Sequence, residues 1–178
     1  LVSLLDRMRA DGVKAVALEV SSHAIALDRV HGIRFRGGVF TNVTRDHLDF
    51  HKTFEEYRRV KASFFERLTG PDTFAAINVD DPSAEFFVRA ASRTRIIRYS
   101  VRRNHVDVGL QITSHRLQGT RGHLLLGSET GPFSSPLWGA FNHSNLAAMA
   151  ATTNKIIIVF LIDPKSIGGI TIGSESHP

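Results

Sequence analysis

The residues best suited to chemistry fall in three short stretches. Leu18-Glu19-Val20-Ser21-Ser22-His23 closes an apolar run with a carboxylate, two hydroxyls and an imidazole in a single turn. Capping explains the hydroxyls, because Ser21 or Ser22 can satisfy the free N–H groups of a following helix. It does not explain a glutamate at the end of an apolar strand. Thr41-Asn42-Val43-Thr44-Arg45-Asp46-His47-Leu48-Asp49-Phe50-His51 also follows an apolar run. Asp46, His47, Asp49 and His51 offer oxygen ligands that suit magnesium and imidazoles that widen the choice of divalent metal. A polar loop with aspartate caps has the same composition.

Lys61 is the third. Thr53 and Glu56 form a capping-box pair, and Gly70 lies past the far end of the helix they would open. At about 100° per residue, Phe54, Tyr57, Phe64, Phe65 and Leu68 share one arc with Lys61 in its middle, while Glu55, Arg58, Arg59, Glu66 and Arg67 lie mainly off it. A lysine there either snorkels to the edge or is held inside, where burial favours the neutral, nucleophilic amine. Two lesser features remain. Asp80-Asp81-Pro82 reads as a turn with Asp81 at an N-cap and Pro82 at the first helical position. In Gly139-Ala140-Phe141-Asn142-His143-Ser144-Asn145, two asparagines one turn apart either cap a helix or present amides to a nucleotide base.

The elements that must hold these residues alternate in type. Leu1, Leu4, Leu5 and Met8 have helical spacing and stop at Asp11-Gly12. Residues 13–20 suit a strand covered on both faces, and 22–31 a helix stopped by Gly32. Strands are expected at 38–43, 74–79 and 96–100, and helices at 54–68 and 82–91. The order implies an α/β fold with a mainly parallel Rossmann-like sheet flanked by helices. Shorter alternating stretches at 106–113, 123–126 and 133–137 predict a small antiparallel subsheet, and a last helix should begin near Asn142. The polar stretches therefore belong at the carboxyl edge of a parallel sheet, where such folds bind ligands.

The chain of 178 residues, 42% hydrophobic, is the size of one domain and long enough to build a core. With no cysteine it has neither disulfides nor thiolate metal sites, and its longest apolar run, 156–162, is far shorter than the roughly 20 residues that span a bilayer. No membrane role and a cytoplasmic location are expected. The net charge of +5 owes much to Arg89, Arg93, Arg95, Arg98, Arg102 and Arg103, a solvated basic face or an attractor of phosphorylated ligands.

Taken in order, Glu19-Val20-Ser21-Ser22-His23, the run 40–51, the helix bearing Lys61, and Gly139-Ala140-Phe141-Asn142 with Asn145 resemble the central ATP-binding domain of the Mur ligases. The pattern is nearest to the branch that adds an amino acid to UDP-N-acetylmuramoyl-L-alanyl-D-glutamate. The resemblance implies an ATP-dependent amide ligase of peptidoglycan synthesis, and so of cell shape and division, that works through an acyl phosphate. Its cofactors would be ATP and Mg2+. Its partners would be the UDP-muramyl dipeptide and diaminopimelate or lysine, with no nucleic acid, and it would act as a monomer. The resemblance makes Glu19 and His47 magnesium ligands and Lys61 a carbamylated lysine near the metal. It puts Ser21 and Arg29 on the UDP-muramyl peptide, and Asn142 and Asn145 near the ATP base. Leu27 stands where the family often has glutamine.

No G-x-x-G-K-T phosphate loop occurs, and the chain opens at Leu1 inside a helical pattern. We therefore expect a fragment, inactive alone, with a partial central domain over 1–152 and an atypical tail over 153–178. Two other readings compete: a basic nucleic-acid-binding module, and a small hydrolase using a metal held by Asp46, His47, Asp49 and His51.

Overall fold

The computed structural model describes residues 1–44 and 50–153, and the backbone of 171–172. Helix α1 (Val2–Ala10) ends at Asp11 and buries none of its residues. Residues 13–20 run extended but pair with no strand among the described residues. Val16, Leu18 and Val20 are half-buried, while Ala15, Ala17 and Glu19 point to solvent. That alternation is the period of a segment covered on one side, and it corrects the expected doubly covered strand.

Helix α2 (Ser22–Ala26) is shorter than the expected 22–31. Asp28 takes a left-handed conformation with φ 50°, and its N–H donates to Ile25 O while Arg29 N–H donates to Ala24 O. This paired closure ends a helix, so the stop is Asp28 and not Gly32.

The next elements follow the expected alternation with shifted ends: β1 (Gly37–Phe40), α3 (Phe54–Glu66), β2 (Phe74–Asn78), α4 (Ala84–Ala90), β3 (Arg95–Ser100), β4 (Val108–Arg116), β5 (Gly119–Leu126), β6 (Glu129–Ser135) and α5 (Ala140–Thr153), and a short strand that was not expected, β7 (Thr171–Ile172), follows in the tail. Among the described residues the seven strands join one sheet in sequence order. Strands β1 to β4 are parallel and β4 to β7 antiparallel, so the predicted antiparallel subsheet continues the main sheet. The join is narrow, since β3 and β4 share only Tyr99↔Val108 and Ser100↔Gly109.

Successive strand residues face opposite sides, which builds two cores. Phe40 and Ile77 meet α3 and α4 through Phe64, Phe65 and Phe87, whereas Val39, Ala76 and Tyr99 meet α5 through Leu146 and Ala147. Phe40 stacks on Phe87 with ring centroids 3.8 Å apart. Gly38 lets α3 approach: a Cβ there would lie 2.7 Å from the Phe64 ring. The apolar arc read from sequence is the one buried, with Tyr57, Phe64, Phe65 and Leu68 all inside. α3 is thereby seated with Lys61 towards the end of β1.

Candidate functional site

Because β1, β2 and β3 are parallel, Phe40, Asn78 and Ser100 end at one edge of the sheet. Thr53 opens α3 just beyond this edge. Its hydroxyl accepts from Glu56 N at 3.1 Å, while the Glu56 carboxylate accepts from Lys52 N at 3.2 Å, one residue earlier than in the usual reciprocal box. Along the helix, Lys61 is half-buried with Nζ 5.0 Å from the centre of the Tyr57 ring. Tyr57 packs on His51 at 5.2 Å, and His51 Nε2 shares a 2.9 Å hydrogen bond with Ser22 Oγ. The His23 and Phe50 rings meet at a tilt of 43°, with centroids 4.0 Å apart.

A cleft of about 50 Å³ brings the sequence-predicted stretches together: Lys61 faces Thr41 and Asn42 from the end of β1, and Leu18 and Val20 from the extended segment. Glu19, between those two, is exposed. Ser21 caps α2 by accepting from Ala24 N at 3.1 Å, so the capping reading holds for Ser21, while Ser22 is spent on His51. Arg29 is exposed on the turn that closes α2 and does not line the cleft. Asp46, His47 and Asp49 lie outside the described residues. Among the described residues no three histidines or carboxylates gather as a metal site. His51, only 1% exposed, is packed between helices instead of facing solvent.

At the start of α5 the amides behave differently from caps. Asn142 Nδ2 donates to Trp138 O at 2.9 Å, and its buried Oδ1 has no partner among the described residues. Asn145 is 6% exposed, and its buried Nδ2 likewise has no partner among the described residues. Buried amides are normally satisfied, so two such atoms one turn apart at the start of α5 stand out from the rest of the domain. Trp138 and Phe141 flank them, both more than half exposed.

Sequence reasoning missed the side chains that tie the strand ends together. Tyr99 OH donates to Phe40 O at 2.9 Å, and Asn78 Nδ2 donates to Thr41 O at 2.7 Å. Asp81 accepts from Val43 N at 3.2 Å and from Ser83 N at 2.7 Å. Asp81 is therefore a tertiary tie, and α4 begins after Ser83 with no side-chain cap, which corrects the expected N-cap role. Asp80 accepts from Ser100 Oγ at 2.6 Å and from Val101 N at 2.8 Å. Burial, helped by the charges of Asp80 and Asp81, pushes the Tyr99 phenol far above its ordinary range. His143 was also missed. Its Nε2 lies 3.2 Å from Thr120 Oγ1, and burial, then the nearby His115, lowers its pKa.

Two roomier clefts, about 220 and 480 Å³, share Arg36, Asp72 and Thr73 at the opposite, amino edge of the sheet. Neither receives any of the motif residues. The arginine cluster divides in the same way: Arg95 opens β3 while Arg102 and Arg103 follow its far end, so they make no single basic stripe.

The family model described as Mur ligase middle domain matches residues 1–153. The chain is 38% identical over 156 residues to the UDP-N-acetylmuramoyl-L-alanyl-D-glutamate–2,6-diaminopimelate ligase of Chlorobaculum tepidum, covering 82% of this chain and 30% of that protein. It is 42% identical over 149 residues to the ligase of the same name from Xylella fastidiosa, again with 82% and 30% covered. A solved structure of such a ligase superposes with TM-score 0.66 at 32% identity over 75% of this chain and 28% of the other. MurF from Acinetobacter baumannii, at 18% identity and TM-score 0.58 over 66% of this chain and 25% of the other, shares the fold. The chain spans about a third of the length of the curated relatives it matches. With the family model covering nearly all the described residues, this chain belongs to the Mur ligases and carries their middle domain.

Proposed function

We propose that this domain serves an ATP-dependent ligase that joins an amino acid to UDP-N-acetylmuramoyl-L-alanyl-D-glutamate. The observation that carries this reading is the cleft in which Lys61 meets the end of β1 and the segment bearing Glu19. Three stretches singled out for their chemistry, distant in sequence, are brought to one edge of a parallel sheet. The relatives named above are ligases for 2,6-diaminopimelate, and diaminopimelate is the incoming amine we propose, with lysine as the alternative.

In this reading the substrate carboxylate takes the terminal phosphoryl group of ATP and ADP leaves. The amine then attacks the acyl phosphate and expels phosphate. Lys61 is neutral when it reacts with carbon dioxide, losing a proton and gaining a carbamate, which turns a cation into a long-reaching anion. The donor types are those Mg2+ takes, oxygen from the exposed Glu19 carboxylate and from a Lys61 carbamate, with an imidazole beside them. Glu19, His47 and the Lys61 carbamate would hold the ion, which when bound offsets phosphate charge. Ser21 and Arg29 are proposed to contact the UDP-muramyl dipeptide. The unpartnered Asn142 Oδ1 and Asn145 Nδ2 suit the donors and acceptors of the ATP base. The enzyme would act in the cytoplasm as a monomer.

The test is Lys61→Arg beside Lys61→Ala in the ligase that contains this domain. Arg remains protonated and forms no carbamate, so both variants should lose activity, and wild type should weaken in carbonate-depleted buffer and recover with bicarbonate. Near-normal activity of the Arg variant without a bicarbonate effect refutes the role.

A further inference from the structure

We infer that Asp81, with Asn78, is a positioning residue that fixes the backbone lining the Lys61 cleft. The inference rests on the ligase reading of that cleft. Pairing between β1 and β2 stops at Phe40↔Ile77, yet the chain stays close to the core, with Val43 only 7% exposed. Past Phe40 the backbone groups have no ladder, and an unpaired buried N–H or C=O is costly. Side chains from the end of β2 and the turn into α4 replace the missing strand: Asn78 Nδ2 holds Thr41 O, and Asp81 Oδ2 holds Val43 N. Asn42 lies between the two tied residues, and Thr41 and Asn42 are, with Lys61, the polar lining of the cleft. Asp81 itself does not line it, so its effect on the site passes through the backbone.

The carboxylate matters because it is acceptor-only. Its two oxygens serve two N–H donors from different segments, Val43 N at 3.2 Å and Ser83 N at 2.7 Å. Asparagine has one oxygen, and its amide would set a donor against the second N–H. The shorter bond to Ser83 should keep the oxygen, so Asp81→Asn should release Val43 while leaving the turn into α4 intact. Helix α4 has its own anchors in Ala84 and Phe87, both buried, so the fold should survive. Asp81→Ser is the second variant: its hydroxyl can still serve Ser83 N but is too short to bridge to Val43.

Two measurements test this. By amide hydrogen exchange on this chain, Asp81→Asn should speed exchange at Val43 at least about tenfold while Ala76 and Ile77 in β2 keep their protection. In the ligase, kcat/KM should fall roughly ten- to a hundredfold, since a site displaced by about 1 Å can lose two orders of magnitude, and the residual activity should still respond to bicarbonate. Asp81→Ser should repeat both results. Unchanged exchange at Val43 overturns the inference. So does kcat/KM within about twofold of wild type in an enzyme that Lys61→Arg abolishes, and that outcome leaves the ligase reading standing. If Lys61→Arg is active, the ligase reading fails while the Val43 exchange still decides the clamp. Unfolding of both Asp81 variants would also overturn it, because Asp81 would then hold the domain and not the strand exit.

Discussion

Replacing Tyr99 with Phe should cost stability at neutral pH and remove an alkaline weakness. Tyr99 has no solvent exposure, and its hydroxyl donates to Phe40 O at 2.9 Å. Deleting it leaves a buried carbonyl short of a partner, a loss of about 1–3 kcal/mol. The pH dependence has the opposite sense. Burial, then Asp80 and Asp81, hold the folded phenol protonated well past its ordinary value of 10.0. Below that value both states carry the proton and the group contributes no slope. Above it the unfolded chain ionises and the folded one does not, so the wild type should lose about 1.4 kcal/mol per pH unit through this residue. The Phe variant lacks that term, and its deficit should shrink by about 1 kcal/mol between pH 10 and 11, approaching the full slope only above that. Urea unfolding followed by far-UV circular dichroism, at several pH values from about 8 to 11.5, measures both effects, and taking the difference between the two proteins cancels groups they share. Parallel stability curves above pH 10, or a neutral-pH cost below about 0.3 kcal/mol, would refute the reasoning.

His143 titrates with the other sign. Its folded pKa is lowered, so the unfolded chain takes up protons first, and stability should be full above the ordinary histidine value and fall as pH drops below it. Melting temperatures of His143→Asn should decline less than those of wild type across that acidic window, and equal declines would exclude His143 as the cause. Asn145→Leu should raise the melting temperature, because it removes a buried Nδ2 with no partner among the described residues, by an amount worth about 1 kcal/mol. The same change should weaken ATP binding measured calorimetrically in the ligase, and unaltered binding would remove the base-contact role.

Much of the fold was legible because it rests on local periods. The arc that buries Tyr57, Phe64, Phe65 and Leu68 is written at helical spacing, and it placed Lys61 correctly on the inner side of α3. Segment 13–20 was read from composition alone, and Val and Ala content cannot say whether a neighbouring strand supplies the ladder. The stop of α2 was misplaced because Asp28 rarely adopts the left-handed region and Gly32 does so readily. The ties at the sheet edge left no local sign at all: Val43 and Asp81 are 38 residues apart, Phe40 and Tyr99 are 59.

The two classes of polar residue at this edge thus have different detectability for a physical reason. Those proposed to meet a ligand, such as Glu19 and Lys61, break a local pattern by standing polar where an apolar residue is expected. Those that hold the frame, such as Asn78, Asp81 and Tyr99, obey their local pattern, as turn formers or a strand aromatic. Their work is done on backbone groups of another element. A residue that satisfies both a local turn and a distant N–H, as Asp81 does with Ser83 and Val43, reads from sequence as the turn alone.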